Sequence, residues 1–230
     1  MRKIIVISLG GSLIVPEKIS IDFLKEFRKV ILKNIKKYKF IIVCGGGKIA
    51  RNYINALDNS IRKNKKYFEC LIGISVTRLN ARFMTYFFET DEKYGMPHEI
   101  KDIEERIRER NFVFCGGMRY EKDETSDSTS AKLARHFKTE FINITNVQGL
   151  YDKDPKKFKD AKFIPEINHK DFYKIAKKIK FKPGQHFVLD KKAARIIKKY
   201  NIKTYIIGPD VKNLDNLLNN KHFIGTIISK

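Results

Sequence analysis

Short apolar runs followed by glycines recur along the N-terminal half of the chain. Residues 3–9, 40–44 and 112–115 are almost entirely apolar, and two or more glycines come directly after each run. Runs of this length without polar alternation are typical of strands that are buried on both faces of a parallel sheet. A mostly apolar run at 140–144 predicts a fourth strand of the same kind.

Segments with apolar residues three and four positions apart lie between these strands, and this is the spacing of an amphipathic helix. The clearest segment spans residues 19–37, with Ser20 as its predicted N-cap. Further helices are predicted at 48–57, 74–88 and 128–137. Because strands alternate with helices, we predict a three-layer α/β/α sandwich with a mostly parallel central sheet.

The C-terminal part has longer polar stretches between its elements. Residues 149–165 are rich in turn-forming residues and predict an excursion or a hairpin. The other elements predicted here are helices at 170–179 and 190–200 (N-cap Asp190), a Pro-Gly loop at 181–185, strands at 202–207 and 223–228, and a helical turn at 214–218. No repeat or linker separates the halves, so we expect a single domain over residues 1–230.

Composition excludes several classes of protein. A hydrophobic content of 42% is too high for a disordered chain. No apolar run approaches the roughly 18 residues of a membrane span, and the run at 4–9 meets glycines without a cleavage-type site, so it is not a signal peptide. Cys44, Cys70 and Cys115 are too scattered for a metal site or a disulfide framework, and a reducing cytoplasm is expected.

The net charge is +22, from 48 Lys and Arg against 26 Asp and Glu. A basic surface of this size invites a nucleic-acid hypothesis, because it would release counterions from a phosphate backbone. Much of the excess, however, lies in predicted helical tracts at 33–39 and 174–182. We therefore favour a solvated helix surface over nucleic-acid binding.

Three glycine turns at strand ends indicate phosphate binding. Backbone N–H groups can approach a phosphate closely only where side chains are absent, and the next helix N-terminus adds its dipole. One such turn is more often just a tight turn, but three in one sheet favour two phosphate-bearing ligands. None matches the Walker A or the GxGxxG pattern. Lys48 and Arg51 follow the triple glycine within one helical turn, where cations are unfavourable unless an anion is bound.

These segments resemble the amino-acid kinase family. Residues 6–12 (VISLGGS) resemble its opening phosphate loop, and residues 43–51 (VCGGGKIAR) resemble the acceptor loop of its UMP kinase branch in the archaeal form. Further matching segments are 72–81, 125–127, 144–147, 151–157, 189–194 and 225–226. The resemblance covers essentially the whole chain. It implies the amino-acid kinase fold and transfer of the ATP γ-phosphoryl group to UMP, giving UDP and ADP.

The resemblance also implies roles for individual residues. The catalytic residues would be Lys48, Arg51 and Asp127. ATP would be bound by Ser8, Leu9, Gly10, Gly11, Ser12, Gly47, Arg51, Thr145, Asn146, Tyr151 and Asp154. UMP would be bound by Gly46, Cys70, Gly117, Met118, Arg119, Thr125 and Ser126. From the residues alone, Asp127 is equally well a helix N-cap and Tyr151 a half-buried turn aromatic.

Further expectations follow from the same resemblance. Residues 1–140 would carry the acceptor and residues 141–230 the ATP. Mg²⁺ would be held by the nucleotide and water, with no protein metal site. The protein would be a cytoplasmic homo-oligomer, a hexamer built from dimers, without a membrane segment.

Three departures from the family pattern keep other functions open. Cys70 and Gln148 stand where the branch has aspartates, and the segment 117–126 is longer and more charged than usual. One alternative is a kinase of the same family with another small phosphate-bearing acceptor. However, no histidine follows the triple glycine, as it does in isopentenyl phosphate and fosfomycin kinases. The other alternative is an inactive homologue that binds nucleotides or RNA.

Overall fold

The protein is described by a computed structural model that covers residues 2–60, 63–90, 95–178 and 188–230. The Pro-Gly loop predicted at 181–185 lies outside these residues. No helix in the described ranges is long and apolar enough to cross a membrane.

The strands occur in two sheets. The main sheet contains β1 (Lys3–Leu9), β2 (Tyr38–Cys44), β3 (Phe112–Cys115), β4 (Phe141–Ile144), β7 (Glu166–Asn168), β8 (Thr204–Ile207) and β9 (Gly225–Ser229). A separate antiparallel hairpin consists of β5 (Leu150–Tyr151) and β6 (Phe163–Ile164). The hairpin confirms the prediction for residues 149–165.

The helices are α1 (Gly11–Ile14), α2 (Ile21–Asn34), α3 (Gly47–Ser60), α4 (Lys65–Phe87), α5 (Ile100–Glu109), α6 (Ser126–His136), α7 (His169–Lys178), α8 (Lys191–Tyr200) and α9 (Val211–Leu218). The order of strands in the main sheet is β3-β2-β1-β4-β8-β9-β7. The first five are parallel, β9 is antiparallel to β8, and β7 is parallel to β9. The predicted mostly parallel sheet is confirmed.

Helices cover both faces of this sheet, which makes the three layers. Alternate residues of β1 point to opposite faces, as the pleat requires. Ile5 and Ile7 join a buried cluster with α2, α4 and α9, whereas Val6 joins a second cluster with α5, α6, α7 and α8. From Ile4 onward the strand is apolar apart from Ser8 because helices cover both faces of the sheet, as the sequence pattern predicted.

Two helices differ from their predictions. Helix α4 begins at Lys65, nine residues before the predicted start, because its sequence is apolar on several sides and its period is hard to read. Helix α5 was not predicted, although Glu99 and Asp102 form a reciprocal capping box at its start. Among the predicted caps, Asp190 accepts hydrogen bonds from the N–H groups of Lys192 and Ala193, whereas the Ser20 side chain makes no cap bond to α2.

Three strands end at the same level of the sheet. Leu9 is paired with Cys44 on one side and with Ile144 on the other. The glycine turns after β1 and β2 therefore meet, and they pack backbone against backbone. A Cβ on Gly11 would lie 2.3 Å from the Gly45 carbonyl oxygen, and Gly47 has a φ of 63° with its own Cβ position 2.5 Å from the Gly11 carbonyl carbon.

We predict that Gly47→Ala lowers the stability of the protein by about 2 kcal/mol or more, because a side chain there is both strained and overpacked. The measurement is the free energy of unfolding in urea. Gly73→Ala is the matched control. Gly73 lies inside α4, its Cβ would meet only Ile54 at 3.8 Å, and alanine favours a helix. Equal urea concentrations at the midpoint of unfolding for Gly47→Ala and Gly73→Ala would contradict the prediction.

Candidate active site

A polar cleft of about 170 Å³ lies at the carboxyl ends of β1, β2 and β4. Its lining consists of Ser8, Gly10, Gly11, Ser12, Gly45, Gly46, Gly47, Arg51, Ser126, Asp127, Asn143, Ile144, Thr145 and Val188. The helices α3 and α6 begin at this cleft. In doubly wound sheets ligands bind at this edge, outside the carboxyl ends of the strands.

The shape and polarity of the cleft suit phosphate groups. Whole drug-sized ligands fill roughly 300–1,000 Å³, so this cleft has room for only part of a nucleotide. The first N–H groups of a helix have no partner within the helix, and the glycine turns at α3 lack side chains that would cover them. The guanidinium of Arg51 adds a positive charge to the same lining. The cleft thus combines backbone donors with a cation, which is the chemistry of phosphate binding.

Asp127 forms the acidic wall of the cleft. Its Oδ1 accepts a hydrogen bond from Ser8 Oγ at 2.9 Å. Burial, and after it the negative charge of Asp190, raise the pKa of Asp127 to about 7, while the hydrogen bond from Ser8 opposes the shift. The carboxyl group is therefore largely protonated below neutral pH.

Asp190 ties two helix starts together behind Asp127. It is the N-cap of α8, and its Oδ2 also accepts a hydrogen bond from Thr125 Oγ1. Thr125 in turn caps α6, accepting from the N–H of Ser128 at 3.1 Å. The alternative that Asp127 is the N-cap of α6 is therefore wrong, since Thr125 occupies that position. Burial also raises the pKa of Asp190.

The two predicted cations are placed differently. Arg51 lines the cleft, but Lys48 is absent from its lining. The Lys48 ammonium group donates to Glu17 Oε1 at 2.9 Å, and this contact lowers the pKa of Glu17. The loop after α1 carries Glu17 to the start of α3, where it forms a solvent-exposed ion pair with Lys48.

The residues predicted for UMP are divided between two places. Gly46 and Ser126 line the cleft, whereas Met118 and Arg119 line another cavity of about 900 Å³ between α4 and α5. The backbone of Gly117 is engaged with α4: its N–H donates to Thr77 Oγ1 at 2.8 Å, and its carbonyl accepts from Arg78 at 2.9 Å. Cys70, on α4, lines neither cavity, and burial raises the pKa of its thiol.

The residues predicted for ATP form an inner and an outer group. Thr145 lines the cleft with the glycines, but Asn146, Tyr151 and Asp154 do not. Tyr151 lies in the hairpin, half-buried, with its ring edge-on to Phe163 at 5.4 Å between centroids. Asp154 closes its own turn by accepting from the N–H of Lys156 at 3.0 Å. The outer group would have to meet the nucleotide beyond the cleft.

Leu9 is placed in the core rather than in the cleft. Its side chain is fully buried, and its carbonyl accepts from the N–H of Gly45 at 2.9 Å. Leu9 is absent from the lining of the cleft, and its side chain and carbonyl are engaged in the sheet, so its contact with ATP stays a prediction.

Comparison with known proteins shows the family of the chain. The model of the amino acid kinase family matches residues 3–208. The chain belongs to the amino acid kinase family. Uridylate kinases of Thermococcus kodakarensis and Thermoplasma volcanium are each 34% identical to it, over 97% and 100% of this chain and 98% and 99% of their own lengths.

Solved structures agree. The crystal structure of uridylate kinase from Archaeoglobus fulgidus has a TM-score of 0.84 at 32% identity, with both chains fully covered. The UMP kinase of Ureaplasma parvum, at 23% identity, shares the fold with a TM-score of 0.78. Within the amino acid kinase family, the chain therefore belongs to the uridylate kinase branch.

Sequence reasoning missed two residues that help to build this cleft. Asn143 lines the cleft and donates through Nδ2 to the carbonyl of Val188. Asn80, on α4, holds the second glycine turn by donating to the Gly45 carbonyl at 2.7 Å. Both side chains are buried. The sequence signal that could have found them is a polar residue inside an otherwise apolar strand or helix face, since buried polar groups are hydrogen-bonded. By contrast, Gln148, a departure from the family pattern, is exposed and outside the cleft lining.

We predict that Asp127→Asn stabilises the protein at pH 8 but not at pH 4. The pKa of Asp127 is raised from 3.8 to about 7 in the folded state, so the folded protein binds more protons and wild-type stability falls as the pH rises through this interval. Asparagine mimics the protonated form. The difference in unfolding free energy should therefore grow with pH, up to about 4 kcal/mol.

The measurement is chemical unfolding of both proteins at several pH values. Asp22→Asn, at an exposed position of α2, controls for the loss of one negative charge. A stability difference between wild type and Asp127→Asn that stays constant from pH 4 to pH 8 would contradict the prediction.

Proposed function

We propose that the protein is a UMP kinase, which transfers the γ-phosphoryl group of ATP to UMP and produces UDP and ADP. One observation carries this proposal. Two glycine turns, Arg51 and Asp127 converge on one cleft, in a chain whose full-length relatives are uridylate kinases.

The cleft can supply what phosphoryl transfer requires. This chemistry depends mainly on positioning the two phosphates in line and on neutralising the charge of the transition state. The N–H groups of Gly10 and Gly45 donate within the sheet, to Ile144 and Leu9. We therefore assign phosphate contacts to the N–H groups that open α1 and α3, at Gly11, Ser12, Gly46 and Gly47. Arg51 would stabilise the transferring group.

Asp127 is proposed as an orienting residue rather than a general base. The attacking group of UMP is a phosphate oxygen, and phosphate monoesters are already largely ionised at pH 7 because their second pKa is about 6. No proton must be removed by the protein. Asp127 instead accepts the hydrogen bond that fixes Ser8 at the cleft, and it shares the lining of the cleft with Arg51. We also retain Lys48 as a contributor, once substrate releases it from Glu17.

We propose Mg²⁺ as the cofactor, bound with ATP. Mg²⁺ prefers oxygen ligands and usually keeps several waters and substrate phosphates. Asp127 and Ser8 offer oxygen atoms at the cleft, which fits such an ion. Within the described ranges, no group of three or more His, Cys, Asp and Glu side chains is placed to hold a metal. Bound Mg²⁺ would neutralise charge on the ATP phosphates.

The two substrates are proposed to approach from opposite sides of the cleft. Residues 1–140 contribute Gly46 and the segment 117–126, and we assign the UMP side to them, with Cys70 at its outer end. Residues 141–230 contribute Thr145 and the hairpin with Tyr151, and we assign ATP to them, with Asn146 and Asp154. Both parts share one sheet, since β1 pairs with β4.

We propose the cytoplasm as the compartment in which the enzyme works. All three cysteines are free thiols, and two of them, Cys44 and Cys115, are buried in the core. Free thiols persist in reducing compartments, and disulfides form in oxidising ones. ATP and UMP would be available there as small-molecule substrates.

The purified protein should form ADP when UMP, ATP and Mg²⁺ are supplied together. The measurement is a coupled ADP-release assay across UMP, CMP, AMP, GMP and other small phosphate esters. We expect the highest kcat/KM with UMP. Absence of turnover with UMP, in a protein that circular dichroism shows to be folded, would overturn the proposal. Turnover with a different phosphate ester alone would identify the alternative kinase, and salt-sensitive RNA binding without ATP binding would identify the inactive homologue.

Arg51→Ala and Lys48→Ala form a matched pair for the same assay, because both residues lie in the first turns of α3. We expect Arg51→Ala to lower kcat/KM by about 100-fold or more, as removal of a donor to a transition-state charge does. Lys48→Ala should lower it less, since its ammonium group is bound to Glu17. The reverse order would show that Lys48, not Arg51, meets the transferring phosphate.

We further propose that the enzyme is a homo-oligomer, a hexamer built from dimers that associate through α4. Helix α4 exposes Phe68, Leu79 and Tyr86, with Leu79 62% exposed. Large exposed apolar side chains along one helix are typical of an interaction surface.

Analytical ultracentrifugation should show an assembly larger than a monomer, and Leu79→Glu should dissociate it. Ile224→Glu, at another exposed apolar position, is the control and should leave the mass unchanged. A monomeric wild type at micromolar concentration would contradict the proposal.

A further inference from the structure

Four ionic side chains fasten the charged segment between β3 and α6, and we call them the acceptor-loop ion cluster: Glu121, Glu124, Lys132 and Lys192. Lys192 Nζ lies 2.7 Å from Glu121 Oε1 and 2.6 Å from Glu124 Oε2. Lys132 Nζ lies 2.8 Å from Glu124 Oε2 and also binds Glu121. Lys192 additionally donates to the carbonyl of Lys122 at 3.1 Å. Each lysine thus bridges the same two carboxylates.

The centre of the cluster is withdrawn from solvent. The side chains of Lys192 and Glu124 are only 14% and 11% exposed, whereas Glu121 lies at the edge with 55% exposed. Burial alone would lower the pKa of Lys192, but its two carboxylate partners raise it overall. Ion pairs on an open surface contribute little, whereas partly buried pairs are screened less by salt. The cluster is therefore suited to holding a defined geometry.

The cluster lies directly beside the catalytic cleft. Lys192 is the second residue of α8, and its N–H donates to the N-cap Asp190 at 2.6 Å. Asp190 accepts from Thr125, which comes immediately after Glu124 and two residues before Asp127. The charge of Asp190 also acts on Asp127. Asp190 therefore connects the start of α8, where Lys192 lies, both to the residue that follows Glu124 and to the wall of the cleft.

The cluster also joins parts of the chain that are distant in sequence. Glu121 and Lys192 are 71 residues apart. Lys192 stands in the part assigned to ATP, and the segment 117–125 stands in the part assigned to the acceptor. Two lysines balance two glutamates, so the cluster offers no net charge to an external ligand. Its geometry is that of an internal clamp.

We propose that Lys192 is a positioning residue for the acceptor nucleotide. By binding Glu121 and Glu124, it holds the segment 117–125 against α8 and sets the width of the acceptor pocket, and through that width it sets the affinity and selectivity for a nucleoside monophosphate. This inference rests on the proposed function, in which that segment receives UMP.

The test uses the full-length enzyme with Lys192→Met, which keeps the length of the side chain and removes its charge. We expect the KM for UMP to rise about tenfold, with the KM for ATP within about twofold of wild type. The ratio of kcat/KM for UMP to that for CMP should fall. Lys192→Arg should restore most of the affinity, because arginine can bridge both carboxylates. Lys191→Met, the exposed neighbour on α8, is the matched control and should leave both KM values unchanged.

A purely structural role would give a different result. If Lys192→Met lowers the melting temperature while both KM values stay at wild type or change together, the proposal is overturned. Should Lys192→Met fail to fold, Glu121→Gln at the exposed edge of the cluster gives the same test, with the same expected rise in the KM for UMP alone.

Hydrogen–deuterium exchange separates this inference from the proposed function. In Lys192→Met the amides of 117–125 should exchange about tenfold faster than in wild type, while those of α2 stay unchanged. If the segment exchanges faster in Lys192→Met but the wild-type protein does not turn over UMP, the clamp is retained and UMP kinase activity is refuted. If exchange in Lys192→Met equals that of wild type and the wild-type protein turns over UMP, the clamp is refuted and UMP kinase activity is retained.

Discussion

The contact between two glycine turns is the constraint on which the cleft depends. The turn after β1 and the turn after β2 meet because their strands end in register, at Leu9 and Cys44. Gly11 and Gly47 approach so closely that neither position has space for a Cβ atom. This approach brings the starts of α1 and α3 together at one cleft, and the first N–H groups of each helix have no partner within that helix. Arg51 reaches that cleft because α3 starts there.

An acidic residue, Asp127, lies in the cleft that we propose to bind phosphate anions. A carboxylate beside two phosphates would repel them, yet Asp127 stands in the lining. Burial and Asp190 raise its pKa to about 7, so that a proton or a nearby cation must accompany it. Asp190 and Thr125 form the connection from this carboxyl group to the starts of α8 and α6. In the proposed enzyme, the binding of phosphates, the protonation of Asp127 and the position of the acceptor segment would therefore be linked.

Local sequence predicted most of the sheet, because buried strands and glycine turns have strong local signals. Strand β1 was predicted with its observed bounds, and the cap at Asp190 was recognised from one residue type. Helix α4 was placed too late and α5 was missed, since the first lacks a clear polar face and the second is mostly charged. The sequence alone does not distinguish Arg51 from Lys48 as the cation that meets the phosphate. The structure distinguishes them, because Lys48 contacts Glu17, which is 31 residues away in the chain.

The sequence by itself determined the fold class and the positions of the glycine turns, because these depend on short-range patterns of hydrophobicity and backbone freedom. The resemblance of its motifs indicated the family. The tertiary structure decided which side chains share an environment. It buried Leu9, placed Asp127 beside Asp190, separated Gly46 and Ser126 in the cleft from Met118 and Arg119 in a second cavity, and joined Glu121 to Lys192. Such contacts depend on distances between residues far apart in the chain. Burial of Asp127 and the charge of Asp190, which is distant in sequence but near in the fold, then set the pKa of Asp127 and the chemistry of the cleft.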